Sequence, residues 1–125
     1  MSFPILFAGL LSALWTLIHI FAGGPGVARP LLKASDLEKS PKYVAYFCWH
    51  LVSISLATMS VLFLWPALWG GSTDLAVVGS VMALLFAAWG IGLGQFSAAN
   101  LTFADLPQGW LFVPVAALGF WGSVL

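Results

Sequence analysis

All four basic side chains of this chain, Arg29, Lys33, Lys39 and Lys42, fall within one stretch of fourteen residues. Asp36 and Glu38 lie in the same stretch, so only Asp74 and Asp105 carry a side-chain charge anywhere else. What flanks this stretch is apolar in blocks of about twenty residues, the length a helix needs to cross a hydrocarbon layer about 30 Å thick. A chain of 125 residues that is 62% hydrophobic and 6% charged cannot cover a water-facing surface. Soluble domains use about a quarter charged residues. Lipid removes that requirement, because outward faces are then free to be apolar. The expected fold class is therefore an all-α integral membrane protein, a single domain forming a four-helix bundle with short loops. Barrel strands would alternate polar and apolar residues, and these blocks do not.

The spans are expected at about 3–22, 43–65, 75–94 and 106–124. Gly23-Gly24-Pro25-Gly26 reads as the stop of the first, and Pro66 as the stop of the second. Ser35 with Glu38 has the spacing of a short capped turn inside the charged loop. Asp74 reads as the N-cap of the third span. Asp105 with Gln108 reads as a capping box for the fourth, with Pro107 in its first turn and a kink expected at Pro114. Met1-Ser2-Phe3-Pro4 has no basic run and no small-residue cleavage site follows, so the first apolar block is expected to be retained.

Short loops rich in Lys and Arg stay in the cytoplasm. Arg29, Lys33, Lys39 and Lys42 thus orient the chain with loop 23–42 cytoplasmic and both termini on the other side. Tyr43, Tyr46, Trp49 and Trp110 then mark the inner interface, and Trp65, Trp69 and Trp121 the outer one. Net charge is zero and the basic residues sit in a mixed-sign loop, which argues against a nucleic-acid partner. Cys48 is the lone cysteine, so neither an intrachain disulfide nor a cysteine metal site is available.

Helices in lipid associate through close packing and hydrogen bonds. Gly79, Ala83 and Ala87 form a small-residue stripe, and Gly90 with Gly94 a second small pair, all expected at helix contacts. Ser12, Thr16 and His19 share one face of the first span. His50, Ser53, Ala57 and Ser60 share one face of the second. Polar groups avoid lipid, so both faces are expected to point inward.

The chain's two histidines fall at one depth on adjacent antiparallel spans. An imidazole inside a span is a functional candidate. His19 and His50, with Ser12, Thr16 and Ser53 around them, are candidate ligand-binding residues. Three roles fit: interhelical hydrogen bonding, axial ligation of a b-type haem or chlorophyll-type pigment, and a proton or quinone site. No catalytic residue is expected. The first span has no acid for proton exchange, and no His-Glu-xx-His helix or nucleophile with a base is present.

Arg29-Pro30-Leu31-Leu32, then Trp49-His50-Leu51 with His19 upstream, resembles small uncharacterised bacterial four-span inner-membrane proteins. The resemblance covers the first half of the chain. It implies a bacterial inner (cytoplasmic) membrane and carries no activity with it. The expected function is that of an accessory or stabilising subunit of a larger membrane complex, respiratory or photosynthetic in type, with the lipid bilayer and other membrane subunits as partners. The alternatives are a haem b, pigment or quinone protein using His19 and His50, and a small homo-oligomeric transporter or channel along the polar stripe.

Overall fold

The computed structural model describes residues 2–125. They form four helices and, among the described residues, no strand: α1 Phe3–Lys33, α2 Lys39–Trp69, α3 Asp74–Phe96 and α4 Gln108–Val124. The first three are long and apolar enough to cross a membrane; α4 is apolar but has 17 residues. At 1.5 Å rise per residue, α2 with its 31 residues is about 46 Å long and α4 about 25 Å.

α1 does not stop at Gly23-Gly24-Pro25-Gly26. It runs to Lys33 by widening over His19–Ala28 into a π-helix. The amide of Arg29 accordingly donates to the carbonyl of Gly24, five residues back. A proline in an ordinary helix turn removes a donor and drives its ring into the carbonyl four residues earlier. The wider turn relieves that crowding, and the neighbouring glycines bring no β-carbon into it. In hydrocarbon, abandoning the backbone hydrogen bonds would cost more than distorting them. The wet connection therefore shrinks to residues 34–38, where Ser35–Leu37 form a bend rather than a helical turn. Arg29 and Lys33 end α1, and Lys39 and Lys42 begin α2.

Pro66 does not end α2 either. The helix continues to Trp69, and the chain turns at Gly70 and Gly71, whose φ values of 77° and 103° favour glycine. A helical proline forfeits one backbone bond; the left-handed residues are what reverse the direction.

Two expected caps do not form. Thr73, not Asp74, precedes α3; Asp74 is its first residue, and its amide donates to Ser72 Oγ at 3.1 Å. Asp105 does not reach the start of α4. Its carboxylate accepts from the amide and the hydroxyl of Thr102, at 2.8 and 2.7 Å, because those donors lie within its own loop.

The helices pack as a ring in chain order, each against the next, with α4 closing on α1. Phe63 of α2 is the centre, fully buried. Gly79 of α3 and Gly119 of α4 leave the space its ring occupies; a β-carbon at Gly119 would sit 2.5 Å from that ring. Ile5 and Ala8 of α1, Met59 of α2, Ala83 of α3 and Val115 of α4 complete the interior. The α3–α4 pair is tightest at Gly90 and Gly109, where a β-carbon on Gly90 would lie 2.6 Å from Gly109 Cα. Phe86 and Phe112 meet edge to face nearby, centroids 5.4 Å apart. Trp15 Nε1–H ties α1 to α4 through the carbonyl of Leu111 at 3.0 Å.

The outer surface is the reverse of a soluble protein's. Phe7, Leu14, Ile54, Leu85, Trp89 and Phe96 all point away from the core. A continuous apolar exterior of this kind is stable in lipid and aggregates in water.

Candidate functional site

The polar side chains of the first two helices build a seam along the α1–α2 contact. Ser12 and Thr16 are buried on α1, Ser60 is buried on α2, and Ser53 is half-buried beside them. Each hydroxyl donates first to a carbonyl one turn back in its own helix: Ser12 to Ala8 at 2.8 Å, Thr16 to Ser12 at 2.8 Å, Ser53 to Trp49 at 3.2 Å and Ser60 to Leu56 at 3.0 Å. The helices are also linked directly by the Thr16 and Ser60 hydroxyls, 3.4 Å apart. Bonding back in this way satisfies a hydroxyl without water. Every hydroxyl of the seam is thus bonded within the protein.

His19 sits where that seam meets the π-helical segment. Its ring stacks on the indole of Trp49, centroids 3.9 Å apart and planes inclined by 17°. Its Nε2 lies 3.3 Å from the Trp49 carbonyl. A carbonyl only accepts, so that nitrogen carries the proton. The same indole covers Gly23, where a β-carbon would lie 2.6 Å from the outer ring carbons of Trp49. Gly23, His19 and Trp49 thus form a brace between α1 and α2, holding the helices together as they approach the charged tip.

His50 does not join it. It is exposed, with its ring set edge-on against Tyr46 four residues back, centroids 4.6 Å apart. The two histidines do share a depth, because His19 meets the residue next to His50. They do not share a face. The inward row of α2 is Trp49, Ser53, Leu56, Ser60, Phe63 and Ala67; His50 and Ala57 lie one row outward and are exposed. Placing that face by its polar residues rotated it by roughly a quarter turn from the face that large apolar side chains define. Trp49 was missed as a site residue because it reads as one more interfacial aromatic. The signal available was Gly23, a glycine at the matching depth of the partner helix.

This geometry limits what the histidines can hold. Axial ligation of one haem by both needs the two rings to face each other across the macrocycle. Here His19 is stacked and hydrogen-bonded, and His50 faces away. Among the described residues no cluster of three or more His, Cys, Asp or Glu side chains gathers into a metal site. Two cavities of about 370 Å³ lie elsewhere. One is an apolar groove between α1 and α4, lined by Phe7, Leu10, Leu11, Leu14 and Leu118. The other, at the opposite end from the charged tip, is lined by Ser2, Ile5 and the α2–α3 turn.

Of the small residues, Gly79, Ala83 and Ala87 are buried in the core and Gly90 meets Gly109. Gly94 is not at a helix contact: a β-carbon there would meet open space. α4 begins at Gln108, level with Gly90, so α4 does not reach a turn further on. At the tip, Arg29, Lys33, Asp36, Glu38 and Lys39 are exposed and Lys42 is half-buried. Lys33 complements the negative end of α1, whereas Lys39 and Lys42 stand at the positive end of α2. Comparison with protein-family models, with curated proteins and with solved structures finds no match to this chain.

Proposed function

We propose that the chain is a four-span bundle of a bacterial inner membrane, with the charged α1–α2 tip in the cytoplasm and both termini opposite. We further propose that it serves as an accessory subunit of a larger membrane assembly, acting by helix and lipid contacts. The observation that carries this reading is the unequal height of the bundle. α1 and α2 have 31 residues each, α3 has 23 and α4 has 17. The α1–α2 side therefore stands about 21 Å taller than α4 at 1.5 Å per residue. A bilayer meets such a step by deforming, by tilting the protein or by bringing in a neighbour. A neighbouring subunit beside α4 would fill it. The self-satisfied hydroxyl seam supports a packing role over a conduction path.

The test is purification from native membranes in mild detergent. The reading expects the protein to co-migrate with a complex several times its own 13.3 kDa. Recovery as a single uncomplexed species under conditions that preserve known assemblies of the same membrane would remove it.

A further inference from the structure

We propose that the outward face of the first turns of α2 is a binding site for an anionic phospholipid. Lys39, Tyr43, Tyr46 and His50 follow one another at i, i+4, i+7 and i+11, the spacing that keeps side chains on one face of a helix. Lys39, Tyr43 and His50 are exposed and Tyr46 is half-buried. Lys42, one turn from Lys39, is half-buried beside this row. Every one of these side chains ends in a hydrogen-bond donor. None has a side-chain hydrogen-bond partner among the described residues, although the hydroxyls of the inner seam all have one.

The order of the donors is informative. The ammonium groups stand outermost, the phenols next and the imidazole deepest, over about 16 Å of helix at 1.5 Å per residue. The headgroup zone of one leaflet is about 5–8 Å thick, so this ladder crosses it and enters the hydrocarbon. A phospholipid presents its acceptors in the same order: the phosphodiester outermost, then the ester carbonyls, then chains with no acceptors at all. Beyond His50 the face continues as Ile54, Ala57 and Val61, all exposed and apolar, as an acyl chain requires. An imidazole or phenol facing hydrocarbon with no partner is costly; an ester carbonyl removes that cost from the lipid side. The charge balance of the tip, four basic residues against two acidic, selects a headgroup with net negative charge.

This inference rests on membrane embedding and not on the subunit reading. It is tested on the full chain in lipid nanodiscs and by native mass spectrometry from micelles holding equal phosphatidylglycerol and phosphatidylcholine. The intact protein is expected to retain phosphatidylglycerol preferentially. Replacing both lysines (Lys39→Gln with Lys42→Gln) should weaken that binding roughly thirty-fold, from about a factor of five per charge near the surface. Tyr46→Phe with His50→Leu should weaken both lipids alike, because ester carbonyls are common to them. Lys39 and His50 are exposed and Lys42 and Tyr46 half-buried, and unchanged thermal unfolding of the variants in phosphatidylcholine discs verifies that the bundle is intact. Equal retention of the two lipids by the intact protein would overturn the proposal. So would an equal loss in Arg29→Gln with Lys33→Gln, which would mean diffuse attraction to the tip. Displacement of phosphatidylglycerol by inorganic phosphate at the same concentration would reassign the site to a soluble anion.

Discussion

Trp49 is the residue on which the α1–α2 contact near the tip depends. It stacks on His19, accepts hydrogen bonds at its carbonyl from His19 and Ser53, and covers Gly23. Trp49→Ala should destabilise the protein in micelles by about 2 kcal/mol, less than a fully buried large-to-small change because the indole is half-buried. Trp49→Phe should lose less than half of that. Thermal unfolding followed by circular dichroism checks both. Gly23→Leu acts on the same contact from the other helix: the new side chain must displace the indole, and with it the His19 stacking. His50→Ala touches no interhelical contact and should leave unfolding unchanged. If it proved as damaging as Trp49→Ala, the assignment of inward and outward rows on α2 would be wrong. At the core, Phe63→Ala should cost about 3–5 kcal/mol, since Gly79 and Gly119 cannot close over the space it leaves.

Elements show where local rules give way to the solvent. Glycine and proline end helices in water because water takes over the freed backbone groups. α1 and α2 pass through Gly23–Gly26 and Pro66 because lipid offers no such replacement. The α3–α4 contact depends on two backbones touching at Gly90 and Gly109. Gly109→Leu should therefore separate these helices and lower the unfolding temperature sharply, whereas Gly94→Leu, facing open space, should be neutral. Asp105 belongs to the loop between them. The Thr102 hydroxyl, and then the Thr102 amide, hold its carboxyl below the ordinary carboxylate range. A depressed pKa means that this turn is supported above the ordinary value and loosens as pH falls through the lowered one. The group is fully exposed, so the effect is local. Thr102→Val should move the Asp105 titration upward toward the ordinary value, read by NMR, with no change in global unfolding.

For the whole molecule, the decisive property is an exterior of Phe, Leu, Trp and Val around an interior in which small Gly, Ala and Ser residues pack against a few large ones, Ile5, Leu56, Met59 and Val115, with Phe63 at the centre. The protein should remain in the membrane pellet after high-speed centrifugation and appear in solution only with detergent. Protease supplied from the periplasmic side should leave the Lys39 region intact, and cleavage there would invert the proposed orientation. Much of this was legible beforehand. Blocks of apolar residues far longer than any strand imply helices, and confinement of all basic side chains to one short stretch implies a single wet hairpin. Ser12, Thr16 and Ser60 were legible as inward residues because a hydroxyl has few ways to be satisfied in lipid. Helix class, the apolar length of three helices and the location of the charged tip follow from transfer free energies summed residue by residue, and those need no neighbour. The direction each helix faces does not. In a chain this uniformly apolar, Leu56 and Ile54 are equally oily, and only the volumes that Phe63, Trp49 and the glycines on other helices must share decide which turns inward. That is why His50 faces out, why Gly94 touches nothing and why Trp49 holds the hairpin: packing is a property of surfaces brought together, and it exists only once the chain has folded.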